Sequence, residues 1–330
     1  MSRLHLTLAC WKYDRTRALF DGEVEPDGIE LTCLNLPVEE TFFRMLRHRE
    51  FDAAEMSLSS YTLSRAAKVP AFIAIPAFVS RCFRHGSIFV SARSGIDKPA
   101  DLVGKRVGVP EYQMTAPVWI RGILQDEYGV APDRVEYFCG GEEETGRDEK
   151  IAIELPQRFS LRSIGPDQTL SRMLAEGAID ALHTARAPST FLTQPDAVRR
   201  LFPNYGAVER SYYRKTGIFP IMHVVVIRSD VYDANPWVAQ SLFKAFSRAK
   251  RLAHDDLAIS AALQSMLPWQ LEAVEEARQL IGHDWWPYGL PPNRQVLATF
   301  LRYHHEQGLS PRRFEPEELF APETLESFKI

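Results

Sequence analysis

From Leu4 the chain alternates apolar and polar residues in LHLTLAC, and IELTCLNL repeats that rhythm after the turn EPDG. Both stretches predict half-buried strands. PVEETFFRMLRH changes to helical spacing, with Pro37 at its entrance and Glu39 and Glu40 in its first turn, where a helix dipole favours acids. FDAAEMS is short and apolar and reads as a buried strand that leaves its sheet at residues 55–57. Further along, RVGV predicts a strand ending in Pro110, and a helix follows with Thr115 as its cap, Pro117 in its first turn and Gly129 past its end. Two long β-rich passages, residues 72–95 and 217–230, flank the middle of the chain. After the second, NPWVAQSLFKAFSRAKRLA has apolar residues at 238, 242, 245, 246 and 249, with Asn235 as cap and Pro236 in the first turn. The last hundred residues are mainly helical in pattern and are expected to pack on the first half.

One phrase occurs twice. Residues 163–185, SIGPDQTLSRMLAEGAIDALHTA, align without a gap on residues 35–57, NLPVEETFFRMLRHREFDAAEMS. Thr41, Arg44, Met45, Leu46, Asp52 and Ala53 meet Thr169, Arg172, Met173, Leu174, Asp180 and Ala181. A duplicated β-α-β unit predicts an α/β fold of two similar lobes, with mainly parallel sheets joined by two crossover strands. The expected division is residues 1–92 plus 217–330 for lobe one with the C-terminal helices, and residues 93–216 for lobe two. A ligand cleft is expected between them, because parallel sheets bind ligands at the carboxyl ends of their strands.

Composition narrows the partners. The 330 residues are 45% hydrophobic with a formal charge of −4, and the pI is near 6.2. That balance argues against a nucleic-acid partner, and no apolar run approaches the ~18 residues of a membrane span. The N-terminus, interrupted by His5 and followed at once by Lys12, Asp14 and Arg15, reads as a strand rather than a signal peptide. Cys10, Cys33, Cys82 and Cys139 are scattered without a C-x-x-C pair, as reduced thiols of a cytoplasmic protein are. GGEEETGRDEK at 140–150 reads as a solvated acidic insertion, with a lid as the alternative. DWWPYGLPPN at 284–293 is either an exposed aromatic patch for pairing with a second copy in a homo-oligomer or a buried corner. Metal motifs, a phosphate-binding glycine loop and a nucleophile elbow are all missing.

The repeat superposes Glu55 on His183, at the ends of matching strands. If the lobes face each other, these two form a general acid–base pair; separately, they read as a helix cap and a packed core histidine. His223 sits inside the return strand IFPIMHVVVI, and His85 on the crossover beside Arg81 and Arg84; both are candidates to contact a ring hydroxyl. For a carboxylate, Arg15, Arg81 and Arg186 are candidate anchors, and Tyr13 can hydrogen-bond or stack. The loop EYQMTAP adds Tyr112 as a stacking ring, Gln113, and the helix end at Thr115. Ser57 and Ser60 offer hydroxyls at a helix start.

Four blocks, DLVGKRVGVPEYQMTAPVWIRGILQDEYGV, EMSLSSYTL, IDALHTARAPSTF and IFPIMHVVVIRSDVYDANPWVAQSL, together resemble the 4,5-dihydroxyphthalate decarboxylase family. The resemblance implies a fold like that of the type II periplasmic binding proteins. It also implies a cytoplasmic, non-oxidative decarboxylase that converts an aromatic dicarboxylate to 3,4-dihydroxybenzoate and CO2 by protonating the ring carbon that carries the leaving group. That chemistry calls for no redox cofactor and no metal. The alternatives on the same scaffold are a non-catalytic binding or sensor protein for an aromatic carboxylate and a dehydratase or lyase of the menaquinone-pathway kind.

Overall fold

In the computed structural model the described residues are 3–147 and 149–325. The strands, in chain order, are β1 (Leu4–Ala9), β2 (Ile29–Leu34), β3 (Ala53–Ser57), β4 (Phe72–Arg81), β5 (Ile88–Ser91) and β6 (Arg106–Val109). They continue with β7 (Glu136–Cys139), β8 (Ser160–Ser163), β9 (Ala181–His183), β10 (Val198–Arg200) and β11 (Ile221–Arg228). One sheet has the order β2-β1-β3-β11-β4 and the other β10-β5-β9-β6-β7-β8.

The two sheets share one plan. In the first, β1 lies parallel to β2 and β3, and β11 then runs antiparallel to both β3 and β4. In the second, β6 lies parallel to β7 and β9, and β5 runs antiparallel to β9 and β10. β8 is an extra parallel edge strand beside β7. The sequence repeat has a matching physical detail. Asp52 Oδ2 accepts from the Thr7 N–H (2.8 Å) on β1, and its counterpart Asp180 Oδ2 accepts from the Arg106 N–H (2.9 Å) on β6. Each aspartate thus ties its own strand to the central strand beside it.

The chain divides into two compact units. Unit one comprises Met1–Arg81, Ile221–Ala298 and Phe314–Ile330; unit two comprises Cys82–Pro220 and Thr299–Arg313. The expected cut at residue 92 moves back to 82, because residues 88–91 form β5 of the second sheet. The expectation that all C-terminal helices join the first unit is corrected as well. The helix Trp237–Leu257 packs on Asp14–Phe20 in unit one, but from Thr299 the helix Arg294–Glu306 belongs to unit two. There Tyr303 lies against Gly122, where an added Cβ would come within 2.1 Å of its ring.

Apolar side chains fill each interior: Leu8, Ala54, Met56, Ile75, Val224 and Val226 from the strands of unit one, and in unit two Val107, Val109 and Leu182 from strands, with Trp119 from the helix Thr115–Tyr128 and Ile179 from the turn before β9. Among the described residues, no helix is long and apolar enough to cross a membrane.

Candidate active site

β3 carries Glu55 into the middle of the first sheet with no exposed surface. Burying a carboxylate is costly unless donors surround it, and this one has several. Oε1 accepts from Tyr13 Oη at 2.7 Å and lies 2.6 Å from His223 Nδ1; Oε2 accepts from the Trp11 N–H at 3.0 Å and faces Cys10 Sγ at 3.6 Å. Burial alone pushes the Glu55 carboxyl up, but the hydrogen bond and charge of His223, with Tyr13 and Trp11, outweigh it and hold the group below the usual carboxylate range. The same burial and the Glu55 charge push the Tyr13 phenol and the Cys10 thiol up, so both stay protonated.

The imidazole paired with Glu55 is therefore that of His223, whereas the repeat pairs Glu55 with His183. The reason lies in strand pairing. β11 places Val225 opposite Glu55 and His223 opposite Ser57, so the His223 ring reaches Glu55 diagonally on one face of the sheet. Register shifts on both sides of His223, where β11 meets β4, re-aim this side chain as bulges do. With Glu55 ionised, Nδ1–H donates to it, so Nε2 is the nitrogen that carries the free lone pair. Nε2 has no hydrogen bond among the described residues, and the side chain is 17% exposed. The edge of the Phe42 ring fixes the imidazole plane, with centroids 4.9 Å apart at 83°.

Arg15 lies on the same unit. Tyr13 and Trp286 cover its guanidinium at 4.1 and 4.2 Å, Nε donates to Val79 O (2.7 Å), and Nη1 donates to Asp14 Oδ1 (2.9 Å). Nη2 makes no hydrogen bond among the described residues, so one edge of a rigidly held cation stays open. Ser57 caps the helix Leu58–Arg65, accepting from the Ser60 N–H at 3.5 Å, and Ser60 is buried. Arg81 is placed differently from an anchor: it is buried, and Nη2 donates to Pro287 O (2.8 Å) and to the Asn293 side chain.

In unit two the candidates take other roles. His183 is buried with neither ring nitrogen hydrogen-bonded, and burial, then the nearby Arg121, lowers its pKa to about 3. It stays neutral at neutral pH. His85 is packed among Tyr212, Phe202 and Tyr128 with both nitrogens unpartnered, and burial lowers its pKa to about 4. Tyr112 does not offer a stacking face: it is fully buried, with Arg121 3.9 Å over its ring. Thr115 is not the cap of its helix but its first residue, after Met114, and it is buried. Gln113 is buried and donates to Glu111 at 2.7 Å. Arg186 is exposed.

The acidic loop is anchored at several points, while residues 143–146 at its tip are exposed as expected of a solvated insertion. Arg147 and Lys150 pair with the buried Glu111 at 2.6 and 2.9 Å, Glu142 accepts from Thr184, and Glu143 accepts from the Ser189 N–H at 2.7 Å. Burial raises Glu142 and Glu149 to about 7. Of the two readings of DWWPYGLPPN the structure shows the buried corner: Tyr288 is 9% exposed, and both tryptophans are partly buried. Trp11 and Trp286 are the site residues that sequence reasoning missed. Only the tandem tryptophans signalled the second, and nothing in the sequence linked them to Arg15.

A duplicated α/β architecture, with polar groups gathered at the carboxyl end of β3, is the plan of the periplasmic-binding-protein-like fold. A putative periplasmic sulfonate-binding protein from Methylobacillus flagellatus KT matches it with a TM-score of 0.56 at 13% identity, covering 98% of this chain and 93% of that one. The periplasmic aliphatic sulphonate binding protein from Escherichia coli matches with a TM-score of 0.53 at 13% identity, over 98% of this chain and 99% of that one. Likeness at that identity defines the fold alone. No protein-family model matches the chain. A 4,5-dihydroxyphthalate decarboxylase from Comamonas testosteroni is 43% identical over 330 residues, 100% of both chains. One from Pseudomonas putida is 44% identical over 214 residues, 65% of this chain and 83% of that one. The chain belongs to the 4,5-dihydroxyphthalate decarboxylase family.

Proposed function

We propose that this chain decarboxylates 4,5-dihydroxyphthalate to 3,4-dihydroxybenzoate and CO2 in the cytoplasm, without oxidation, with the Glu55–His223 pair as its proton-transfer device. The carrying observation is the 2.6 Å contact between Glu55 Oε1 and His223 Nδ1, which leaves Nε2 without a hydrogen bond among the described residues. Full-length identity of 43% to a relative named for this reaction supports the substrate, and four free cysteines support a reducing compartment.

Each carboxylate of this substrate lies para to a ring hydroxyl. Nε2 of His223 takes the hydroxyl proton, and the oxygen's electron pair moves into the ring toward the carbon bearing the leaving carboxylate. That carbon accepts a proton and loses aromaticity. Breaking its bond to the carboxylate releases CO2 and returns the bonding pair to the ring, after which the proton on His223 goes back to oxygen. The net change is one proton taken up and one CO2 released. Glu55 stabilises the imidazolium formed in the first step, as a buried carboxylate does for a catalytic histidine.

Arg15 holds the carboxylate that remains. An arginine on the departing one would stabilise the charged ground state more than the neutral CO2 being formed. The test is to mix the purified chain with 4,5-dihydroxyphthalate and follow CO2 together with the mass of the aromatic product. Tight binding without CO2 release overturns the proposal.

A further inference from the structure

The turn between β1 and the helix Asp14–Phe20 is built as one piece. The Tyr13 N–H donates to Thr16 Oγ1 (2.9 Å), and that buried hydroxyl donates to Trp11 O (2.9 Å), which locks residues 11–16 together. The turn grips Glu55 at both oxygens: Oε2 accepts from the Trp11 N–H (3.0 Å) and Oε1 from Tyr13 Oη (2.7 Å). The centre of the Tyr13 ring meanwhile lies 4.1 Å from the Arg15 guanidinium, whose Nε is tied to Val79 O (2.7 Å). Tyr13 thus touches the acid–base pair through its hydroxyl and the cation through its face.

Glu55 Oε1 has two donors, Tyr13 Oη at 2.7 Å and His223 Nδ1 at 2.6 Å. They share its charge, so the phenol weakens the pull of that oxygen on an imidazolium formed during turnover. Burial and the Glu55 charge keep the phenol protonated, and it remains a donor throughout. Around the pair, β1 leads to the protonated Cys10 thiol, the turn contributes Tyr13 and Arg15, and the helix Val38–His48 contributes the uncharged Phe42 ring. β4 sets Ser80 opposite His223. A hydroxyl committed to Glu55 is not offered to a substrate.

We infer that Tyr13 is a positioning residue rather than a substrate contact: its hydroxyl aims Glu55 and moderates the charge that His223 meets, and its ring seats Arg15. The inference rests on the reading of Glu55–His223 as the proton-transfer device and of Arg15 as the anchor.

Tyr13→Phe deletes the hydroxyl and keeps the ring. Glu55 then turns more of its charge on His223, and the acid limb of the kcat/KM profile on 4,5-dihydroxyphthalate should move up by about 0.5–1 pH unit. kcat should fall about 5- to 30-fold for the lost hydrogen bond, with KM within about 3-fold of the parent because Arg15 keeps its seat. Tyr13→Leu removes the ring as well and should add a rise in KM of about 3- to 30-fold. An unmoved acid limb in folded Tyr13→Phe overturns the inference. So does a KM that rises equally in both variants, the mark of a hydroxyl that binds substrate. Should Tyr13→Phe fail to fold, 3-fluorotyrosine at position 13, a stronger donor, should move the limb down, and an unmoved or raised limb overturns the inference. If the parent releases no CO2, the functional reading fails by itself, and a pH titration of the His223 ring by nitrogen NMR, assigned with His223→Gln, still reads the coupling. Its midpoint should rise in Tyr13→Phe, and equal midpoints overturn the inference.

Discussion

Glu55 is ionised inside a sheet only because every lone-pair direction is met by a donor, and that arrangement exposes it to simple tests. Glu55→Gln keeps the size and loses the charge that stabilises a protonated His223. The expected loss is about 10²–10⁴-fold in kcat with a small change in KM, read by steady-state kinetics on 4,5-dihydroxyphthalate. Acid stability follows from three groups. The folded Glu55 carboxyl lies below its unfolded range near ~4.3, so its stabilisation is present above that pH and fades as pH falls through the folded value. His85 and His183 start to act sooner. Folded values of about 4 and about 3, against ~6.5 unfolded, mean that the unfolded chain binds their protons first. Their stabilisation is complete above ~6.5 and falls by up to roughly 1.4 kcal/mol per pH unit for each histidine below it. Urea midpoints should therefore drop between pH 6.5 and 5. His85→Phe, in its cage of Tyr128, Phe202 and Tyr212, should remove one histidine's share of that slope and leave turnover intact; an unchanged slope would contradict the assignment.

The repeated helices show how one local design is executed twice with different residues. The helix Val38–His48 ends at Arg49 in the left-handed region (φ 53°), and its counterpart Leu170–Glu176 ends at Gly177 (φ 78°), a pair that the repeat aligns. Glycine adopts that conformation freely, whereas a Cβ meets the carbonyl oxygen, so the arginine holds strain on the order of 1 kcal/mol. Arg49→Gly is expected to stabilise the protein by about 0.5–1 kcal/mol and to raise the melting temperature by a few degrees, measured by thermal unfolding. A lower melting temperature would show that the arginine side chain contributes more than its backbone costs. The strands diverge more. Stepping two residues back from Val225, which faces Glu55, reaches His223; the same step from Ile88, which faces His183, reaches Gly86. The second sheet thus carries no counterpart of the His223 imidazole at that position.

Neither unit is one continuous stretch of chain. Unit two is completed by residues 299–313, where Gln307 accepts from the buried Arg121 Nε at 2.7 Å, Tyr303 donates to Asp126 at 2.6 Å, and Phe300 lies 5.4 Å from Trp119. A fragment of residues 82–220 would leave the Arg121 guanidinium buried without that partner and uncover the apolar face of the helix Thr115–Tyr128. Such a fragment should lose cooperative urea unfolding and bind a hydrophobic dye, and adding residues 299–313 through a short linker should restore a single transition. A cooperative transition in the bare fragment would show that the C-terminal segment is dispensable to this unit.

Much of the architecture follows from short-range rules. The alternation in LHLTLAC, the proline and glycine that bracket residues 115–128, and the duplicated phrase with its paired aspartates all act within a few turns of chain, so the α/β class and its two similar sheets were readable from them. The acid at residue 55 and the arginine at 15 could be picked out by type and position. Their partners could not. His223 meets Glu55 across 168 residues, through an antiparallel pairing and a bulge that no local pattern encodes, and Trp286 reaches Arg15 from the far end of the chain. Burial decided the rest, turning His183, His85 and Tyr112 into neutral interior groups. Periodicity specifies which face of an element avoids water; which distant face covers it depends on packing the whole chain at once, and the charge states of the site depend on that packing.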